Sequence, residues 1–199
     1  MNIIKKSFLC FCMSSSLFSG AVFADTASND SSEAVINFSG RVTSSTCQVA
    51  TNNLTQEVSL GEATKKQLLA GSTPEHTFYV TLTNCDSDTG SISYSLNDTN
   101  SNQSGQDYLA LAAGDTAAKG VGVYVTKTEN GSTIQTGTKY DLTDLDQDAD
   151  GNTASTQSLA FNAQLKKLPT ATTAADITAG SVSAAATLVI KAVEAAGDV

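Results

Sequence analysis

Apolar residues recur at every second position in run after run of this chain, and almost nowhere at helical spacing. In Ser91–Leu96 they are Ile92, Tyr94 and Leu96; in Gln157–Leu168 they are Leu159, Phe161, Ala163 and Leu165. A period of two puts a residue set on one face of an extended strand, so each run reads as a strand with one buried face. Thr77–Thr83 (T-F-Y-V-T-L-T) and Val121–Thr128 (V-G-V-Y-V-T-K-T) are rich in the β-branched and aromatic residues that suit a pleated surface. Asn130-Gly131 follows as a hairpin signal, with Ser132–Gln135 as the return strand. Thr55–Leu60 and Tyr108–Ala112 are shorter strand candidates. Only Glu62–Ala70, stopped by Gly71 and Pro74, offers a helical turn. Strands at roughly even spacing, parted by Gly, Asn and Asp turns, predict an all-β antiparallel sandwich or barrel.

The two ends of this pattern are unusual. Near the start, Ala34, Ile36, Phe38, Gly40 and Val42 share one strand face, behind a polar stretch, Asp25–Glu33, with too little apolar surface to order itself. At the far end Gly180 opens a final strand in which Val182, Ala184, Ala186, Leu188, Ile190 and Ala192 share a face, and little follows to cover it. Period alone does not separate a first strand of the chain's own domain from an arm given to another molecule.

Residues 1–24 carry Lys5 and Lys6, a short apolar middle and the small-residue exit V-F-A, the pattern of a secretory signal peptide cleaved after Ala24. The mature chain then begins at Asp25 and suits a single domain. It keeps 9 basic and 20 acidic residues, which excludes the basic footprint of a nucleic-acid binder. Of its cysteines Cys47 and Cys85 remain, and export predicts one disulfide between them, with a pair of free buried thiols as the alternative.

Little in the chain points to catalysis. His76 is the only histidine, placed at the start of a strand, and no G-x-S-x-G elbow or phosphate-cradling Gly loop occurs. No catalytic residue and no cofactor is assigned. One His beside one cystine does not supply a zinc set. Asp146, Asp148, Asp150 and Gly151 match the first half of a calcium loop, but the closing position is Gln157 instead of a bidentate Glu, so the loop is read as solvated and acidic with no metal assigned.

Four blocks together resemble the pilin subunits of chaperone–usher fimbriae of the type 1 kind: I-N-F-S-G-R-V-T-S-S-T-C (Ile36–Cys47), F-Y-V-T-L-T-N-C (Phe78–Cys85), S-L-A-F-N-A-Q-L (Ser158–Leu165) and the closing run Ile177–Ile190. The resemblance implies an incomplete immunoglobulin-like β-sandwich, residues 40–199, completed in trans by a donor strand. The arm, residues 25–39, would carry that strand, with Ala34, Ile36 and Phe38 and then Gly40 at its end. The closing strand, Val182, Ala184, Ala186, Leu188 and Ile190, would border the acceptor groove. Partners implied are neighbouring pilin subunits, a periplasmic chaperone and an outer-membrane usher, on a route through the periplasm to a cell-surface fimbrium that supports adhesion. The alternatives are a tip or minor receptor-binding adhesin, which would normally need a second domain, and a secreted calcium-binding β module.

Overall fold

In a computed structural model, residues 47–142 and 144–195 are described, all within the compact unit Thr43–Val199. They form seven strands, a 3-10 turn (Thr51–Asn53) and one short α-helix. The strands are β1 (Gln48–Val49), β2 (Glu75–Thr83), β3 (Thr89–Asp98), β4 (Val121–Lys127), β5 (Lys139–Asp141), β6 (Gln157–Lys167) and β7 (Ala186–Glu194); the helix is α1 (Lys65–Ala70). Every strand pairing is antiparallel. One sheet has the order β1-β2-β6-β4, the other β5-β3-β7. This is a two-layer sandwich, as the even strand spacing predicts.

The core follows the period of two. Val80 and Leu82 of β2, Val123 and Val125 of β4, and Leu159, Phe161, Ala163 and Leu165 of β6 face inward from the first sheet; Ile92, Tyr94 and Leu96 of β3 meet them from the second. Phe161 pairs with Phe78 across its own sheet, at 5.5 Å between ring centroids. It also meets Tyr94 of the opposite sheet edge-on at 5.4 Å, a geometry aromatic quadrupoles favour. Burial pushes the Tyr94 hydroxyl up to about 12, with Glu129 and Tyr140 adding to the shift, so the ring stays neutral inside the sandwich.

The sequence reading needs correction at several points. Tyr108–Ala112 is not a strand; only Leu109 bridges β4, at Val123. Ser132–Gln135 returns from the Asn130-Gly131 turn with a bridge from Thr133 to Thr126 and an Ile134 N–H donated to Val125. β5 has no alternating pattern, and is held because Tyr140 stacks on Tyr94 at 5.8 Å. The closing ladder starts at Ala186, not at Val182, and runs on to Glu194. Val182 and Ala184 precede it in a segment bonded instead to the 112–118 stretch, through Ala112 N–H to Ser183 O and Ala118 N–H to Ser181 O. Gly180 sits where that crossing is tightest: a Cβ there would overlap the backbone of Thr116–Ala118.

Cys47 and Cys85 form the disulfide. It ties the chain just before β1 to the chain just after β2, beside the pairs Gln48–Thr83 and Val49–Leu82. In the chain-entropy account, closing a loop with a sequence separation of 38 contributes about 4 kcal/mol. The protein purified without reductant is therefore expected to resist thiol alkylation at both positions, and Cys85→Ser to lose about 2–5 kcal/mol of stability in denaturant unfolding.

Candidate functional site

Between the two sheets lies an open groove of about 840 Å³. Its floor is the apolar face of the core, including Phe78, Val80, Leu96, Val123, Val125 and Phe161. One wall is the approach to β7 and β7 itself: Val182, Ala184, Ala186, Leu188 and Ile190 all line the groove, so the structure brings together the five closing-strand residues singled out from sequence. The other wall is the segment between β1 and α1, residues 53–62.

That second wall is built like a strand that has no neighbour. Val58 and Leu60 are half-buried while Glu57 and Ser59 are exposed, the alternation read from Thr55–Leu60. Yet no backbone hydrogen bond joins residues 54–63 to another described residue. Two side chains staple the segment to β2 in place of a ladder. Asn53 Oδ1 accepts the Thr81 N–H at 3.0 Å, and Gln56 Nε2 donates to Tyr79 O at 2.7 Å. Its ends are pinned by β1 and the disulfide on one side and by α1 on the other. The helix opens with a capping box, Thr64 and Gln67 each bonded to the other's backbone, and closes on Gly71 at φ 66°.

The walls run in opposite directions. The staples show that the chain from Asn53 runs back along β2 toward Glu75. β7 starts at that same end, since Thr178 and Ser181 bond to Lys119 and Thr116 beside the start of β4, and Lys65 of α1 reaches Ala174 O. It finishes where Ala195 donates to Asp88, past Cys85. Among the described residues β7 is paired only with β3 and is an edge of its sheet. The groove is thus a slot over an apolar floor, with a strand edge that no described residue pairs on one side and an unladdered extended segment on the other. Unpaired backbone at a sheet edge is a template for another strand.

The loop leading into the β7 wall is held by Asp176, which accepts from the backbone N–H groups of Thr172 and Thr173 and from both hydroxyls. The backbone bond from Thr173 is the main cause that holds its carboxyl below the usual 3.8. The contribution of these bonds is complete above that ordinary value and is lost as pH falls through the depressed one.

The proposed donor residues Ala34, Ile36, Phe38 and Gly40 lie outside the described residues. His76 is part of β2 and partly buried, not a surface residue, and its Nε2 has no hydrogen-bond partner among the described residues. The Asp146–Asp150 loop is closed from inside. Asp148 Oδ1 accepts the N–H groups of Asp150 and Asn152, both at 2.9 Å. Gln157, 1% exposed, accepts the Asp146 N–H and donates to the carbonyls of Asp146 and Ala154. It is a buried clamp, and its place in the same register as Leu159 and Phe161 is the signal that could have shown this. Among the described residues no three His, Cys, Asp or Glu side chains stand together as a metal set.

Residues 36–192 match the family described as fimbrial protein. The chain is 38% identical over 190 residues to fimbrial protein 987P of Escherichia coli, covering 94% of this chain and 96% of that one. In fold it is similar to a subunit of a chaperone–usher pilus solved to explain rod uncoiling, with a TM-score of 0.58 at 21% identity, over 80% of this chain and 95% of that one. It is likewise similar to the P pilus rod subunit PapA, with a TM-score of 0.54 at 21% identity, over 74% and 99%.

Gln157→Glu tests the reading of the acidic loop. It sets a carboxylate against two carbonyl oxygens, so thermal unfolding should show a loss of about 1–3 kcal/mol. Calorimetry with calcium should register no micromolar site in the wild-type protein.

Proposed function

The chain belongs to the fimbrial protein family as a structural pilin subunit of a chaperone–usher fimbria, and we propose that its open groove is filled in the fibre by the N-terminal arm of the next subunit. The observation that carries this is the slot: an apolar floor flanked by two extended walls whose facing backbone has no partner among the described residues. A single strand supplies what is missing on both counts. Its main chain bonds to the free edges, and its alternate side chains enter the groove.

The arm, residues 25–39, has the right pattern for that strand. Ile36 and Phe38, with Ala34 and Gly40 in the same register, present apolar groups at every second position. Burying Ile36 and Phe38 contributes about 1.5–3 kcal/mol each. The contact is heterologous: the arm of one subunit meets the groove of another. Repeating it without closure builds a filament. Before assembly an apolar slot of this size is an aggregation hazard. A periplasmic chaperone that lends a strand, followed by handover at an outer-membrane usher, accounts for safe passage. Residues 1–24 act as the export signal.

Asp at both Ile36 and Phe38 should leave a subunit that folds with chaperone, seen by circular dichroism of the complex, but cells should show no fibres by electron microscopy. Normal fibres would place the contact elsewhere, and failure to fold with chaperone would assign the strand to its own core. Lysine at Leu188 or Ile190 attacks the other partner. It should reduce recovery of the chaperone complex, whereas an unchanged yield would remove β7 from the groove's role.

A further inference from the structure

The walls of the groove carry charge of one sign. Its lining includes Glu57 and Glu62 and not one Lys or Arg. Both glutamates are exposed on the 53–62 wall. Neither has an ion-pair partner among the described residues, and Lys65, three residues beyond Glu62, donates instead to Ala174 O at 3.5 Å. Because the walls are antiparallel, Glu62 stands at the end of the slot where Val182 enters, and Glu57 stands part-way along, next to the Gln56 staple.

Charges of opposite sign flank the apolar positions of the arm. Asp30 and Glu33 precede the apolar positions, and Arg41, the only arginine in the chain, follows them. With Ile36 and Phe38 turned to the floor, Arg41 has the opposite parity and faces the rim. Three residues past Phe38, it reaches about 10 Å further along the slot. An arm that runs alongside the 53–62 wall in the same direction brings Arg41 to the Glu62 end. The reversed arm brings Glu33 there, against the Glu62 carboxylate.

Building on the arm-in-groove reading, we propose that Glu57 and Glu62 are the receptor for Arg41, which follows just beyond the arm of a second copy of this chain, and that this pairing selects both the direction of the arm and the identity of the neighbour. Exposed charge pairs act mainly on encounter rate and on rejection of wrong partners. Each one is weak at equilibrium, so the effect on joining is about two- to five-fold and falls with salt.

The test uses purified full-length mature subunits released from their chaperone, with head-to-tail joining followed by native gel. Glu57→Lys with Glu62→Lys, and separately Arg41→Glu, should each slow joining about two- to five-fold at low salt. The chain carrying all three changes should recover the wild-type rate, and the differences should shrink at 1 M salt, a condition in which the screening length is about 3 Å. Glu57→Gln with Glu62→Gln should give an intermediate rate, separating lost attraction from new repulsion. Unchanged rates for the single-sided variants, or no recovery in the combined one, overturn the charge assignment. If that happens while Ile36→Asp with Phe38→Asp still blocks joining, only the charge assignment fails. If the Ile36/Phe38 variant joins normally, the arm is not the occupant and both readings fall.

Discussion

Backbone that finds no partner among the described residues governs this structure. Among them, strand β7 bonds to β3 on one side only, and the extended segment opposite, residues 54–63, makes no backbone bond to any other. Between them the core's apolar face is open along a groove of about 840 Å³. Buried N–H and C=O groups need partners, and apolar surface gains by leaving water. Both demands fall on the same slot, and one added strand meets both.

The rest of the sandwich holds the slot open and in shape. The Phe161 ring, in contact with both Phe78 and Tyr94, joins the sheets at the floor itself. The Cys47–Cys85 disulfide and β1 fix one end of the 53–62 wall, and the doubly capped helix α1 fixes the other. Asn53 and Gln56 hold its middle by side chains, leaving its main chain free to bond outward. On the far wall, the loop tied by Asp176 and the close crossing at Gly180 set where the approach to β7 begins. These are local devices of modest energy, yet all of them bear on the same two walls.

Much of this was legible in the sequence because burial on one face forces a period of two. The alternation in Ser91–Leu96 and Gln157–Leu168 marked β3 and β6, and the β-branched runs marked β2 and β4. Thr55–Leu60 shows the limit: its alternation marks a strand face, but side chains of Asn53 and Gln56, not a backbone ladder, join this segment to β2. Val182 and Ala184 carry the parity of the closing strand yet line the groove ahead of its ladder, because Gly180 permits a crossing in which their neighbours Ser181 and Ser183 bond to the 112–118 stretch. β5 left no pattern, since a three-residue strand is set by the stacking of Tyr140 on Tyr94. Gln157 looked like a missing metal ligand when judged by spacing along the Asp146 loop. Judged by its parity with Leu159, it is the buried clamp that the structure contains.

The central claim is that the slot is completed by a strand from another subunit. Amide hydrogen exchange on assembled fibres tests it directly. The backbone N–H groups of residues 56–60, and those of β7 that are not donated to β3, should be protected in fibres. They should exchange rapidly in subunits lacking residues 25–39, while the amides of β2 and β6 stay protected in both. Equal exchange of 56–60 and of those β7 amides with and without the arm would contradict the account.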